Sequence, residues 1–182
     1  MPLNLPNAIT ICRILLVPFT VWLIISGANL AAFVAFLVAG LSDAVDGFLA
    51  RKFAAQTELG AYLDPIADKA LLVSIYVALA IIDIMPAWLA ILVATRDVLI
   101  IGAVILARLM EKPLAMKPLW ISKLNTTAQI VYAGVALGFL AFDLDLPIIL
   151  NASIAAVCVL TILSGGLYMR SWVRHMSGAP TA

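Results

Sequence analysis

Residues 30–82 read LAAFVAFLVAGLSDAVDGFLARKFAAQTELGAYLDPIADKALLVSIYVALAII, and this stretch decides the fold. Residues 30–41 are apolar without interruption, about 18 Å of helix at 1.5 Å per residue, before Asp43 and Asp46 are reached. Approached from the other end, residues 70–82 run about 20 Å before Lys69, Asp68 and Asp64. Against a hydrocarbon core of ~30 Å, two such helices joined on the inner side bring both acidic pairs to one depth. A carboxylate facing acyl chains there costs several kcal/mol, so the helices are expected to enclose a polar cavity open to the cytoplasm.

The rest of the chain has the same character. Of 182 residues, 65% are hydrophobic and 12% charged, with mean hydropathy +1.15. A soluble domain carries about 25% charged residues, so this chain cannot cover a water-facing surface and is read as an all-α integral membrane bundle. A formal net charge of +1 offers no basic field for nucleic acid. Cys12 and Cys158 both lie in apolar runs and predict free buried thiols rather than a disulfide. Residues 1–10 hold Pro2 and Pro6 and no basic cluster, so the first apolar run is expected to be kept as a span rather than cleaved.

Turn residues divide the chain into six predicted spans, 8–27, 30–52, 59–82, 86–109, 119–142 and 147–170, in a single membrane domain over 1–182. All 11 bases fall at or toward one side: Arg13, Arg51, Lys52, Lys69, Arg96, Arg108, Lys112, Lys117, Lys123, Arg170 and Arg174. Because short cytoplasmic loops accumulate Lys and Arg, both termini are placed in the cytoplasm, as in a bacterial inner-membrane protein. The opposite loops carry Asp83, Asp143 and Asp145, read as solvated charges, and His175 is read as part of a solvated tail.

Asp43 and Asp46 are three residues apart and Asp64 and Asp68 four apart, so each pair shares a helix face. Four converging carboxylates repel one another in a low dielectric, and hard divalent cations relieve that repulsion. An all-oxygen set suits two magnesium or manganese ions. Arg51 adds a fork that matches phosphate oxygens, and Gly47 and Gly60 leave room for a ligand or for close helix approach. Phosphoryl chemistry is the reading this supports; a divalent-cation transporter is the rival, although an ion path needs no such glycine and arginine spacing.

The run Asp43-x2-Asp46-Gly47-x2-Ala50-Arg51-x8-Gly60-x3-Asp64-x3-Asp68 resembles the signature of the CDP-alcohol phosphatidyltransferase family, with every fixed position in place. The opening Asn4-x-Pro6-Asn7-x2-Thr10-x2-Arg13 and the six-span plan are similar to bacterial members as well. The resemblance implies that Asp43, Asp46, Asp64 and Asp68 hold two divalent metals and that Asp68 is also the general base. It implies that Gly47, Arg51 and Thr57 contact the CDP headgroup of CDP-diacylglycerol, with Asn7 and Thr10 lining the nucleotide site. Asn7 also suits a helix N-cap, and Arg13 a snorkelling anchor. It further implies a homodimer. No Ser or Cys stands beside a His to support a covalent phosphatidyl-enzyme, so in-line attack by the acceptor hydroxyl is expected.

Two branches of the family differ in acceptor. Members that use glycerol 3-phosphate carry a Gly-Lys-x-Lys-Thr run at the fifth span, where a second cation suits a nearly dianionic substrate. This chain has Ser122-Lys123-Leu124-Asn125-Thr126 there and Thr95-Arg96-Asp97-Val98 in the fourth span, more similar to the branch that makes cardiolipin by the CMP-forming route. The favoured acceptor is therefore phosphatidylglycerol, with glycerol 3-phosphate the alternative. On either reading Arg96, Lys117 and Lys123 are acceptor-side candidates. Asn125, Thr126 and Gln129 suit interhelical hydrogen bonds, and Gly134-x3-Gly138 suits a helix contact within or between subunits.

Overall fold

A computed structural model describes residues 5–53, 58–110 and 120–176, with side chains described over 14–42, 69–107, 109–110 and 120–176. These residues form six helices and no strand: α1 Leu5–Ile25, α2 Asn29–Phe53, α3 Glu58–Ile81, α4 Ala87–Leu109, α5 Trp120–Phe142 and α6 Pro147–Met176. The all-helical class and six elements agree with the sequence reading. Three helices, Ala87–Ala107 of α4, Trp120–Phe142 and Pro147–Met176, are long and apolar enough to cross a membrane. In α1, α2 and α3 the described apolar segments are shorter, Ile14–Ile25, Asn29–Ser42 and Lys69–Ile81.

Three helix ends close by one device. Gly27, Asp83 and Asp143 have φ of 74°, 58° and 52°, the left-handed turn that stops a helix. The next amide donates back across the turn in each case: Ala28 N to Leu23 O at 3.0 Å, Ile84 N to Leu79 O at 3.0 Å and Leu144 N to Phe139 O at 3.0 Å. Glycine adopts this backbone freely, and aspartate is one of the few other residues that tolerates it. Asp83 and Asp143, read from sequence only as loop charges, are thus also helix stops.

The described helices group into two compact units, residues 1–85 with 133–146, and residues 86–132 with 147–182. In the first unit α1 packs against α2 and α3. Ala32, Ala35, Phe36 and Ala39 recur on one face of α2, and Leu71, Ile75, Tyr76, Ala78 and Leu79 supply the buried positions of α3. The small residues allow the close approach on which helix packing in lipid depends.

Gly134 and Gly138 have their partners in this same unit. A Cβ at Gly134 would stand 3.4 Å from Phe36 Cε1, and one at Gly138 would stand 3.5 Å from Phe33 Cε2. The Phe33 ring also meets Phe142 edge-on, with centroids 5.8 Å apart. The glycine pair therefore seats two α2 phenylalanines within one subunit. Gly138→Ala should fit, whereas Gly138→Leu must displace Phe33 at a cost of about 1–3 kcal/mol. Thermal unfolding in detergent checks this: a leucine variant as stable as the alanine variant would show that the ring does not rest on Gly138.

The second unit joins α4 to α6 and to residues 120–132 of α5. Its exterior is apolar, with Ile91, Val98, Ile101, Ile105, Ile130, Val159 and Ile162 exposed. Its interior is mixed, with Arg96, Asp97, Asn125, Gln129, Thr161 and Ser164 buried beside Leu89, Val93, Tyr132 and Val157. Burying those polar groups is the arrangement a lipid solvent favours, because a polar group facing hydrocarbon goes unsatisfied.

Candidate active site

α2 continues unbroken through Asp43, Asp46, Gly47 and Arg51, and α3 begins before Asp64 and Asp68, so both acidic pairs lie within helices as their spacings require. Asn7 and Thr10 lie in α1. The side chains of all these residues, and Thr57 and Lys117 altogether, lie outside the described residues. No group of three or more His, Cys, Asp or Glu that could hold a metal occurs among the described residues.

Within the second unit, the described polar groups gather around Arg96. Only 5% of this residue is exposed. Its Nη1 donates to Asp97 Oδ1 at 2.7 Å, forming a buried ion pair on α4. Its Nη2 donates to Ser122 Oγ of α5 at 2.6 Å and to Ser164 Oγ of α6. The guanidinium carbon lies 5.9 Å from the centre of the Tyr168 ring, within reach of a cation–π attraction. The arginine stem lies against α6 at Gly165, beside Ser164, where a Cβ would stand in ordinary contact, 3.5 Å from Arg96 Cγ. Nε is buried with no hydrogen-bond partner among the described residues.

A second tie follows one turn along. Thr161 Oγ1 donates to Asn125 Oδ1 at 3.0 Å, both side chains being buried. Asn125 lies three residues after Ser122 and Thr161 three before Ser164, so α5 and α6 meet antiparallel with two polar rungs in register. Asn125 thus makes the interhelical bond expected of its type. Thr126 instead donates within its own helix, to Ser122 O at 3.2 Å.

Lys123 is exposed, with Nζ 5.6 Å from the centre of the Trp120 ring. Of the three acceptor-side candidates, the structure describes Arg96 and Lys123, and it links them through Ser122, the residue before Lys123. Ser164 and Tyr168 were not singled out from sequence. A serine in an apolar helix carries little signal, and only the antiparallel register with α5 would have pointed to it.

The family model for CDP-alcohol phosphatidyltransferases matches residues 3–164. A Homo sapiens protein named cardiolipin synthase (CMP-forming) is 35% identical over 158 residues, covering 78% of this chain and 52% of that protein. The Escherichia coli (strain K12) CDP-diacylglycerol–glycerol-3-phosphate 3-phosphatidyltransferase is 36% identical over 169 residues, covering 80% and 91%. A probable phosphatidylglycerophosphate synthase of Mycobacterium tuberculosis is 32% identical over 183 residues, covering 96% and 84%. The chain thus spans about half the length of the human protein and most of the length of the two bacterial ones.

Proposed function

The chain belongs to the CDP-alcohol phosphatidyltransferase family, and we propose that it moves a phosphatidyl group from CDP-diacylglycerol to phosphatidylglycerol, releasing CMP. The observation that carries the reaction class is the pair of acidic couples on α2 and α3, inside the matched residues and spaced with Gly47, Arg51 and Gly60. We place it in a bacterial cytoplasmic membrane as a homodimer of six spans, both termini inside, with 1–182 acting as one domain. The basic residues of the inner connections support that orientation.

Asp43, Asp46, Asp64 and Asp68 would hold two divalent cations. Their donor set is four carboxylates with no thiol or imidazole, which fits magnesium or manganese. When bound, such ions neutralise charge on the pyrophosphate and on departing CMP. Arg51 holds a phosphate oxygen in its fork, while Gly47, Thr57, Asn7 and Thr10 line the nucleotide. Asp68 takes the proton of the acceptor hydroxyl as that oxygen attacks the phosphatidyl phosphorus. The bond from phosphorus to the CMP oxygen breaks, and CMP leaves with the electron pair.

Lys117, Lys123 and Arg96 form the acceptor side. The charge of Arg96 is offset by Asp97 at 2.7 Å, which leaves less cationic field for a dianion and supports a singly charged lipid acceptor. The test is to give the purified full chain CDP-diacylglycerol and manganese with either phosphatidylglycerol or glycerol 3-phosphate, then identify the lipid formed. Cardiolipin from the first and no product from the second is expected. Product from glycerol 3-phosphate alone would replace the acceptor assignment with phosphatidylglycerophosphate synthesis. Metal flux into proteoliposomes without CMP release would point to a cation transporter and overturn the enzyme reading.

A further inference from the structure

We infer that Arg96 is a positioning residue: it pins the first turn of α5 to α6 and so fixes where Lys123 stands, without itself touching the acceptor. The inference rests on the phosphatidyl-transfer reading for the role of Lys123, but the pin can be tested without it.

Five observations carry it. Both terminal nitrogens of the guanidinium bond protein groups, Nη1 on Asp97 and Nη2 on both Ser122 and Ser164. The Arg96 stem passes beside Gly165 and the guanidinium lies against the Tyr168 ring of α6, with only 5% of the residue exposed. Ser122 lies in the first turn of α5, where backbone amides have no partner within the helix and the end frays unless held. Lys123 follows directly and is exposed, so the direction it takes depends on how that turn is held. The Asn125 to Thr161 bond holds the next turn, which leaves Arg96 as the tie nearest the helix start.

A fork that bonds three partners at once cannot be replaced by the single ammonium of lysine, whereas a cation acting through its charge alone can be. Arg96→Lys, Arg96→Gln and the pair Ser122→Ala with Ser164→Ala therefore separate the two roles. The serine pair keeps the arginine charge and removes only its ties to α5 and α6. All three proteins are expected to raise KM for the acceptor about tenfold, with KM for CDP-diacylglycerol little changed. Arg96→Gln added to the serine pair should lower stability by removing the cation paired with Asp97 but raise KM for the acceptor no further. Wild-type KM in the lysine variant or in the serine pair would overturn the pin and make Arg96 a charge acting on the acceptor.

Hydrogen–deuterium exchange of the full chain in detergent supplies the arm that needs no activity. In the serine pair, amides of residues 124–127, which bond back to the first-turn carbonyls, should exchange about tenfold faster, and those of 133–142 at the wild-type rate. Unchanged exchange over 124–127 overturns the pin whatever the kinetics show. Failure of the wild-type protein to release CMP would instead reject the enzyme reading and leave the exchange result to decide the pin.

Discussion

Asp68→Asn is expected to cut CMP release by about a thousandfold or more, because it would remove the proposed general base and one proposed metal ligand together. Asparagine matches the size of aspartate and can still offer one oxygen, but its amide nitrogen cannot bind a cation and its oxygen cannot take a proton. The acceptor hydroxyl then has no group to receive its proton as it attacks. Stability should not fall. Four carboxylates gathered as proposed would repel one another without bound cations, and removing one charge would relieve part of that repulsion. The expected pattern is therefore lost turnover with unchanged or slightly raised thermal unfolding in metal-free detergent. Excess manganese should not restore the rate, since occupancy does not replace the base. Activity near wild type would remove Asp68 from the proposed chemistry, and an unfolded variant would move its role to structure.

The helices were legible because each break carries its own chemistry. Gly27, Pro86 and Pro147 mark ends that fall within two residues of their predicted places. α6 runs six residues past its predicted end at 170, because that boundary was drawn where hydropathy fell. Arg170, Ser171, Trp172, Val173, Arg174 and His175 leave the apolar pattern without breaking the backbone ladder, and Trp172 Nε1 donates to Ala103 O at 3.2 Å, tying the extension to α4. Basic residues also suit the negative end of a helix.

At the candidate site, charges in apolar runs announce themselves, which is why Asp43, Asp46, Asp64, Asp68, Arg96 and Asp97 all stood out. What they touch did not. Ser122 and Ser164 lie 42 residues apart and meet Arg96 only because α5 and α6 run antiparallel in one register. No local pattern encodes that register. Gly134-x3-Gly138 shows the complementary case: its spacing announced a close approach, but Phe33 and Phe36 as the groups approached were visible only in the fold.

Asp97→Ala should strongly destabilise the second unit. The Arg96 to Asp97 pair is held at 2.7 Å with side-chain exposures of 5% and 8%, so water cannot replace a missing partner. Removing one member leaves the other charge buried and uncompensated, a loss of about 3–5 kcal/mol in such pairs. For a chain of this size that corresponds to a fall in Tm of roughly 10 °C. Arg96→Met combined with Asp97→Leu should recover most of the loss, since replacing both charges with apolar groups removes the desolvation cost. The two outcomes separate stability from function. If the pair serves only to hold the bundle, the double variant regains both its Tm and its turnover. If Arg96 also pins α5, the double variant regains Tm while KM for the acceptor stays high, because methionine cannot bond Ser122 or Ser164. Thermal unfolding followed by tryptophan fluorescence, with acceptor kinetics on the same preparation, distinguishes them. An Asp97→Ala protein as stable as wild type would show that Arg96 is compensated from elsewhere and would remove the ion pair from the energetics of the fold.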